Sequence, residues 1–528
     1  MAKGKKRRQV VEPEAVELEE EVELDEEGAE LEEEEVELEE EDLPRALPAP
    51  LAAALVFVAA GAVLMLEILA VRLLAPYVGL TLETTTSIIG AALAGIALGA
   101  AVGGRIADRT DTRLLLVGLF AGGGALALLI VPIVHWLGPG ARGDGDLAAL
   151  GITVITLVPA ATVLSAVSPA VAHLQLHDLR ASGTVVGSLS GWATAGALLG
   201  TFGTGFVLVP WLPVTASVLI IGGVLVLIGA VLAVSTRLVP LAGVAGGALL
   251  LIVLGAWSGS IDSPCDTETK YHCISLEADP ARPNSYALLL DDLHHSYVDL
   301  DDPTYLDFAY TKWIAKAIQA SNPGKQPVDA VFVGGGGFTL PRWLLATRPG
   351  SNARVLEVDE ELVTFDEEHL GLRPQPGLEI EVGDARIGML EIPDASADVV
   401  VGDAFGNMAV PWHLATTEWV EEVQRVLKPG GLYALNVIDL GPLDLLRAET
   451  ATVLDTFDHV QMVTFGVEEK PLGGNGILLA SDRPIPERAL TEDEISTSLS
   501  QAKLESFSAD AEILRDDFAP ADQLLTTP

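Results

Sequence analysis

The chain has 528 residues, of which 49 % are hydrophobic, and carries a formal charge of −43. That length allows two or three domains, and the acidity argues against nucleic-acid binding, which needs a basic footprint. A mean hydropathy of +0.40 is high for a soluble chain and averages two unlike halves.

Residues 1–8 are basic (Lys3, Lys5, Lys6, Arg7, Arg8), and residues 12–42 then hold twenty Asp or Glu and no Lys or Arg. Such a block repels itself and buries almost nothing, which predicts a disordered acidic tail over 1–46. The apolar stretch that follows starts too late and runs too long for a cleaved signal peptide.

Seven apolar runs come next, near 50–74, 84–104, 114–137, 148–172, 184–209, 212–234 and 238–257. Each has the length of a bilayer-spanning helix. They predict a membrane domain over 47–260, a multi-pass place in the cell membrane and the lipid bilayer as a partner. Arg105, Arg109 and Arg113 follow the second run, Arg180 the fourth and Arg237 the sixth, whereas the odd-numbered loops hold only Arg142. The positive-inside rule then puts the N-terminus in the cytoplasm. Seven spans carry the C-terminal half to the opposite side, where Cys265 and Cys273 can close a small loop. An adenosyl cofactor is cytosolic, so that side stays open. Gly95, Gly99 and Gly103 recur every four residues, as do Gly183, Gly187 and Gly191, followed by Gly196 and Gly200. This spacing suits close helix packing. Glu67 and Arg72 are charges inside the first run, where charge is costly and often functional. Arg72 can equally snorkel to the interface. Gly104-Arg105-Ile106-Ala107-Asp108-Arg109 resembles the loop signature of major facilitator transporters, although seven spans do not match their twelve.

Cys265 and Cys273 are the only cysteines. With His272 they fall short of a zinc set, and no metal site is predicted. A small β-rich subdomain is expected over 261–325. From 328 the pattern alternates strands with helices. Val328–Val333 precedes Gly334-Gly335-Gly336-Gly337, and a helix starts near Leu340. A second strand, 354–358, carries Glu357. A third, 378–382, is followed by Gly383-Asp384-Ala385, and a fourth, 397–401, by Gly402-Asp403. Lys428-Pro429-Gly430-Gly431 turns into a fifth, 432–437. Strands alternating with helices predict a doubly wound α/β domain over 326–528, whose ligands sit at the carboxyl ends of the strands. The glycine run lets a ligand approach the backbone, and Glu357, 23 residues beyond Gly334, suits ribose hydroxyls. Together with Asp384 and Asp403 these residues point to an S-adenosylmethionine-type cofactor in a methyltransferase-like Rossmann fold.

Several segments then resemble the spermidine synthase (polyamine aminopropyltransferase) family, in its bacterial membrane-fused form, over roughly 262–525. They are Glu268-Thr269-Lys270-Tyr271-His272, Leu290-Asp291-Asp292-Leu293-His294-His295, Asp307-Phe308-Ala309-Tyr310 and Asp516-Asp517-Phe518-Ala519-Pro520. The resemblance implies aminopropyl transfer from decarboxylated S-adenosylmethionine to a diamine, with methylthioadenosine leaving. It implies catalytic roles for Asp403, as general base, and for Tyr271 and Tyr310. Gly334, Gly335, Gly336, Glu357, Asp384 and Ala385 would hold the adenosyl group. His272, His295 and Asp403 would face a small polyamine substrate. Self-association is a further implication. Two positions depart from the family pattern. Gly337 and Gly406 stand where it places aspartates that grip amines. A non-catalytic or altered polyamine-binding or transport protein, or an S-adenosylmethionine-dependent methyltransferase, are the alternatives.

Overall fold

The structure is a computed structural model and describes residues 46–78, 82–141, 145–176, 182–235, 263–406, 409–467, 470–486 and 496–525. The acidic tail, but for residue 46, and the seventh apolar run at 238–257 lie outside the described residues. The described residues from Ala46 onward form one compact unit.

Six described helices are long and apolar enough to cross a membrane: α1 Ala49–Val78, α2 Thr84–Ala107, α3 Thr112–Ala141, α4 Ala148–Gln175, α5 Ser182–Trp211 and α6 Val214–Ser235. At about 1.5 Å per residue even the shortest exceeds the ~30 Å hydrocarbon core. Glycine decides how closely they pack. Gly95, Gly99 and Gly103 of α2 press on Val158, Thr162 and Ala166 of α4. Gly196 and Gly200 of α5 abut the backbone of Phe57 and Gly61 in α1. Gly183, Gly187 and Gly191 meet open space among the described residues. The second glycine ladder therefore packs along only half its length.

The chain then builds a four-stranded antiparallel sheet from β1 Thr267–Glu268, β2 Cys273–Ala278, β3 Ser285–Leu290 and β4 Leu293–Asp299, in that order. A disulfide joins Cys265 to Cys273 and closes the chain around β1.

The larger sheet has eight strands in the order β12-β10-β11-β9-β8-β5-β6-β7. They are β5 Asp329–Val333, β6 Asn352–Glu357, β7 Leu378–Val382, β8 Ala397–Gly402, β9 Leu427–Asp439, β10 His459–Val467, β11 Lys470–Ser481 and β12 Ser496–Leu499. β5 to β9 run parallel. Their near-continuous apolar sequences, Ala-Val-Phe-Val in β5 and Val-Val-Val in β8, are what a sheet covered on both faces requires. One face packs on α7 Ala309–Ser321 and α8 Thr339–Thr347 through Trp313, Ile314, Trp343 and Leu344. The other packs on α9 Ala385–Glu391, α10 Thr417–Val426 and α11 Asp444–Thr456 through Met389, Trp419, Val423 and Val453. The Pro-Gly-Gly turn expected before the fifth strand lies inside β9. A register shift between Ala397 and Val399 of β8 accommodates it. The antiparallel strands β10 to β12, absent from the five-strand reading of the sequence, extend the sheet beyond β9.

Candidate active site

The carboxyl ends of the parallel strands open into a cavity of about 950 Å³. It is lined by every residue singled out above for catalysis or binding: Tyr271, His272, His295, Tyr310, Gly334, Gly335, Gly336, Glu357, Asp384, Ala385 and Asp403. The small sheet supplies one wall, and the loops after β5 to β8 supply the floor.

The glycine run turns sharply off β5. Gly334 adopts φ +94°, a region closed to most side chains. A Cβ there would strike the backbone of Asp403. Phe338 takes φ 54° at the head of α8 and is fully buried, a strained conformation held by packing. The next loop is tied to this one. Glu357, at the end of β6, accepts the N–H of Gly335 at 2.7 Å through one oxygen and that of Asp359 at 2.9 Å through the other. Burial pushes its carboxyl up, opposed by those two backbone donors. A carboxylate has about four acceptor sites, so two remain for a diol.

Asp384 caps α9, accepting from the N–H of Arg386 at 2.8 Å. Its second oxygen lies 3.3 Å from His413 Nε2. Asp516, in the C-terminal motif, accepts from Arg386 at 2.6 Å and from the hydroxyl of Thr416 at 2.7 Å. That motif therefore braces the loop beneath the cavity rather than entering it.

Asp403 follows β8 directly. Asn436 Nδ2 donates to it at 2.8 Å, and Asn475 Nδ2 donates in turn to Asn436 Oδ1 at 3.0 Å. Desolvation pushes the Asp403 carboxyl up to about 7, against hydrogen bonds from Asn436 and Tyr310 that pull it down. The carbonyl of His295 lies 3.2 Å from the same Tyr310 hydroxyl, so its single proton serves one of the two acceptors at a time. Burial beside Asp403 raises the Tyr310 phenol well above its ordinary range. Sequence reading missed both asparagines. Asn436 interrupts an apolar strand, and that polar break was the available signal.

His272 and His295 stand 6.3 Å apart, centroid to centroid. His272 Nδ1 lies 3.2 Å from Asp291 Oδ2, and Asp291 Oδ1 accepts the N–H of Cys273 at 3.0 Å. Burial, with His272 nearby, brings the His295 imidazole down to about 4, so the ring is neutral at pH 7. Tyr271 is half-exposed at the rim.

The wall bearing Tyr271 and His272 is fastened from two sides. The Thr269 hydroxyl donates to Asp359 Oδ2 at 2.5 Å and accepts the N–H groups of Tyr271 and His272. From α1, the Arg72 guanidinium donates to the carbonyl of Thr269 at 2.6 Å and to that of Lys270. Glu268 accepts the N–H of Val214, at the start of α6, at 2.5 Å. Arg72 thus ends on protein carbonyls.

The two departures from the family pattern differ physically. A Cβ at Gly337 would lie 2.7 Å from Val298 Cγ2 and 3.1 Å from Ser296 Cβ, whose hydroxyl already bonds the Gly337 N–H at 3.0 Å. Among the described residues a Cβ at Gly406 meets nothing nearer than Pro411 Cγ at 4.0 Å. The first position is packed shut, and the second has no described neighbour closer than that. Among the described residues, no group of three or more His, Cys, Asp or Glu is arranged to hold a metal ion.

A glycine turn after the first parallel strand, with a carboxylate ending the second, is the arrangement of a doubly wound, Rossmann-like α/β fold whose ligands lie at the carboxyl ends of the strands. A family model described as a methyltransferase domain matches residues 332–435. The polyamine aminopropyltransferase of Vibrio vulnificus is 24 % identical over 216 residues, which are 38 % of this chain and 70 % of that protein. The polyamine aminopropyltransferase of Aeropyrum pernix is 26 % identical over 191 residues, 34 % of this chain and 60 % of that one. A solved structure of a probable spermidine synthase from Corynebacterium glutamicum is 27 % identical, covering 49 % of this chain and 96 % of its own, with a TM-score of 0.44. The chain resembles the spermidine synthase (polyamine aminopropyltransferase) family.

Proposed function

We propose that this chain is a membrane-anchored transferase that moves an aminopropyl group from decarboxylated S-adenosylmethionine to an amine. The observation that carries the reading is the meeting of Glu357, Asp384 and Asp403 round one cavity, with Tyr310 against Asp403. Glu357 takes the ribose hydroxyls, and Asp384 and Ala385 take the adenine edge. The crowded glycine turn at Gly334 and Gly335 lets the nucleoside lie on the backbone. The donor supplies a carbon activated by a neighbouring sulfonium. The amine nitrogen bonds to that carbon, the carbon–sulfur bond breaks, and methylthioadenosine leaves as a neutral thioether. The nitrogen's proton passes to Asp403, whose raised pKa suits a base working near neutrality. Tyr310, Tyr271 and the neutral His295 orient the amine, with His272 held by Asp291. In this reading 47–260 anchors the chain, 261–325 closes the cavity and 326–528 holds the donor. The bilayer and a small amine of the polyamine class are the partners, and self-association follows from the resemblance.

A methyltransferase on the same fold is the second reading. What favours it is Gly337, where Val298 and Ser296 leave no room for a carboxylate to hold the donor's aminopropyl ammonium.

Full-length protein in detergent decides between them. The aminopropyl reading expects methylthioadenosine to accumulate from decarboxylated S-adenosylmethionine plus an amine. The methyl reading expects S-adenosylhomocysteine from S-adenosylmethionine. Calorimetry that finds no binding of either donor or of methylthioadenosine overturns both.

A further inference from the structure

We infer that Asn475 is a positioning residue: it locks the amide of Asn436 with its donor end toward Asp403, and so holds that carboxylate ready to take a proton. The inference rests on the general-base reading of Asp403 given above.

The two asparagines reach each other across the β9–β11 ladder. Asn436 on β9 stands opposite Ile477 on β11. Asn475 is two residues from Ile477, so its side chain and that of Asn436 leave the same face of the sheet. Asn475 Nδ2 donates to Asn436 Oδ1 at 3.0 Å, and Asn436 Nδ2 donates to Asp403 Oδ1 at 2.8 Å. The backbone carbonyl of Asn475 accepts the Thr464 hydroxyl of β10 at 3.2 Å, which ties the outer end of this chain of bonds to the antiparallel edge. Asn436 is 1 % exposed, so protein groups rather than bulk water set the direction of its amide.

An ionised carboxylate only accepts hydrogen bonds, whereas a protonated one also donates. The donor end of Asn436 therefore favours the ionised form of Asp403, and its oxygen end would favour the protonated form. A turned Asn436 sets its NH2 against the NH2 of Asn475, donor against donor. Asn475 thereby penalises the orientation that suits a protonated base. Amide dipoles that point the same way also strengthen the last bond of the chain. Of the ionisable groups around the cavity, Tyr310 on α7 shares Asp403 with Asn436. Others have partners of their own: His272 with Asp291, Glu357 with the Gly335 N–H, Asp384 with His413. His295 packs edge-on against Phe405, His294 pairs with Glu277, and Tyr271 sits at the rim.

The test follows methylthioadenosine release and thermal unfolding of full-length protein in detergent from pH 5 to 9. Asn475→Leu removes the donor and keeps the branched shape. It should move the midpoint of kcat/KM against pH up by about half to one unit, the effect of one amide hydrogen bond. Asn436→Leu should move it at least as far, and adding Asn475→Leu to that variant should move it no further. The gain in unfolding temperature from Asp403→Asn, taken against pH with and without Asn475→Leu, reads the same shift without turnover. An unmoved midpoint in Asn475→Leu, a rate that falls equally at every pH, or shifts that add in the double variant overturn the inference. Absence of methylthioadenosine release by the unaltered protein, with the unfolding shift present, overturns the aminopropyl reading alone.

Discussion

Replacing Asp403 with asparagine should slow the enzyme and stabilise it, and the second effect should depend on pH. The side chain accepts from Asn436 at 2.8 Å, a bond the amide oxygen of asparagine keeps. What the variant loses is the proton acceptor. Removing a general base costs typically about 10²–10⁴-fold in rate. In the unaltered protein kcat/KM should rise with pH through about 7, where Asp403 loses its proton. Stability runs the other way. Below about pH 4 the carboxyl is protonated whether the chain is folded or not. As pH rises, the unfolded chain ionises near the ordinary value of 3.8 while the folded chain holds its proton until about 7. The folded state therefore loses stability across that window, and the loss levels off above it. Three pH units at 1.36 kcal/mol each set a ceiling of about 4 kcal/mol. Water in the cavity screens part of it, so a gain of about 1–3 kcal/mol is expected for Asp403→Asn at pH 8 and roughly two-fifths of that at pH 5, where the unfolded carboxyl is already mostly ionised. Thermal unfolding in detergent at both pH values, beside steady-state rates, measures the two effects. A stability change equal at pH 5 and pH 8, or an unaltered rate, refutes the assignment of Asp403.

Gly337→Asp should cost about 1–3 kcal/mol through overpacking, because its Cβ falls 2.7 Å from Val298 Cγ2; thermal unfolding reports the loss, and donor affinity should not improve. Cutting the disulfide in a Cys265→Ser, Cys273→Ser double variant should lower stability by about 2.5 kcal/mol, the chain-entropy value for a loop of roughly eight residues, read as a fall in the unfolding midpoint. Arg72→Ala removes two donors from the carbonyls of Thr269 and Lys270 and should raise KM for the amine about 3–10-fold, with the methylthioadenosine dissociation constant unchanged; an equal change in both constants would mean the whole cavity had loosened. An impermeant thiol reagent applied to intact cells, before and after reduction, should label Cys265 only after reduction if the soluble half faces outward, and only after lysis if it faces the cytoplasm.

The parallel strands and their terminal carboxylates were legible because each rests on local chemistry. Apolar runs such as Val-Phe-Val end at a glycine or an acidic residue, and β7 spans Leu378–Val382 as the pattern predicts. What escaped was non-local. Asn436 acquires meaning only through Asp403, 33 residues away, and Asn475, 39 residues away. The role of Arg72 stayed open in the sequence because its partners lie 197 and 198 residues downstream. Gly337 and Gly406 look alike in the sequence, yet one is walled in by Val298 and Ser296 and the other, among the described residues, meets only Pro411 at 4.0 Å. The β10–β12 extension was missed although Gly466 in β10 and Asp482 after β11 resemble the marks of the parallel strands; what no local pattern supplies is the antiparallel pairing of β11 onto β9 and of β10 onto β11.

On the membrane-anchored reading proposed above, the clasp from Arg72 to the Thr269–Lys270 turn gives the lipid a mechanical hold on catalysis. How a helix leans follows the thickness of the bilayer around it, and a lean of α1 pulls on the strip of backbone that presents Tyr271 and His272. Reactivity in thin and thick vesicles should then differ for the native protein and converge once the guanidinium is gone. On that reading, a catalytic half severed from its helices would answer to substrate alone, deaf to the thickness of any bilayer.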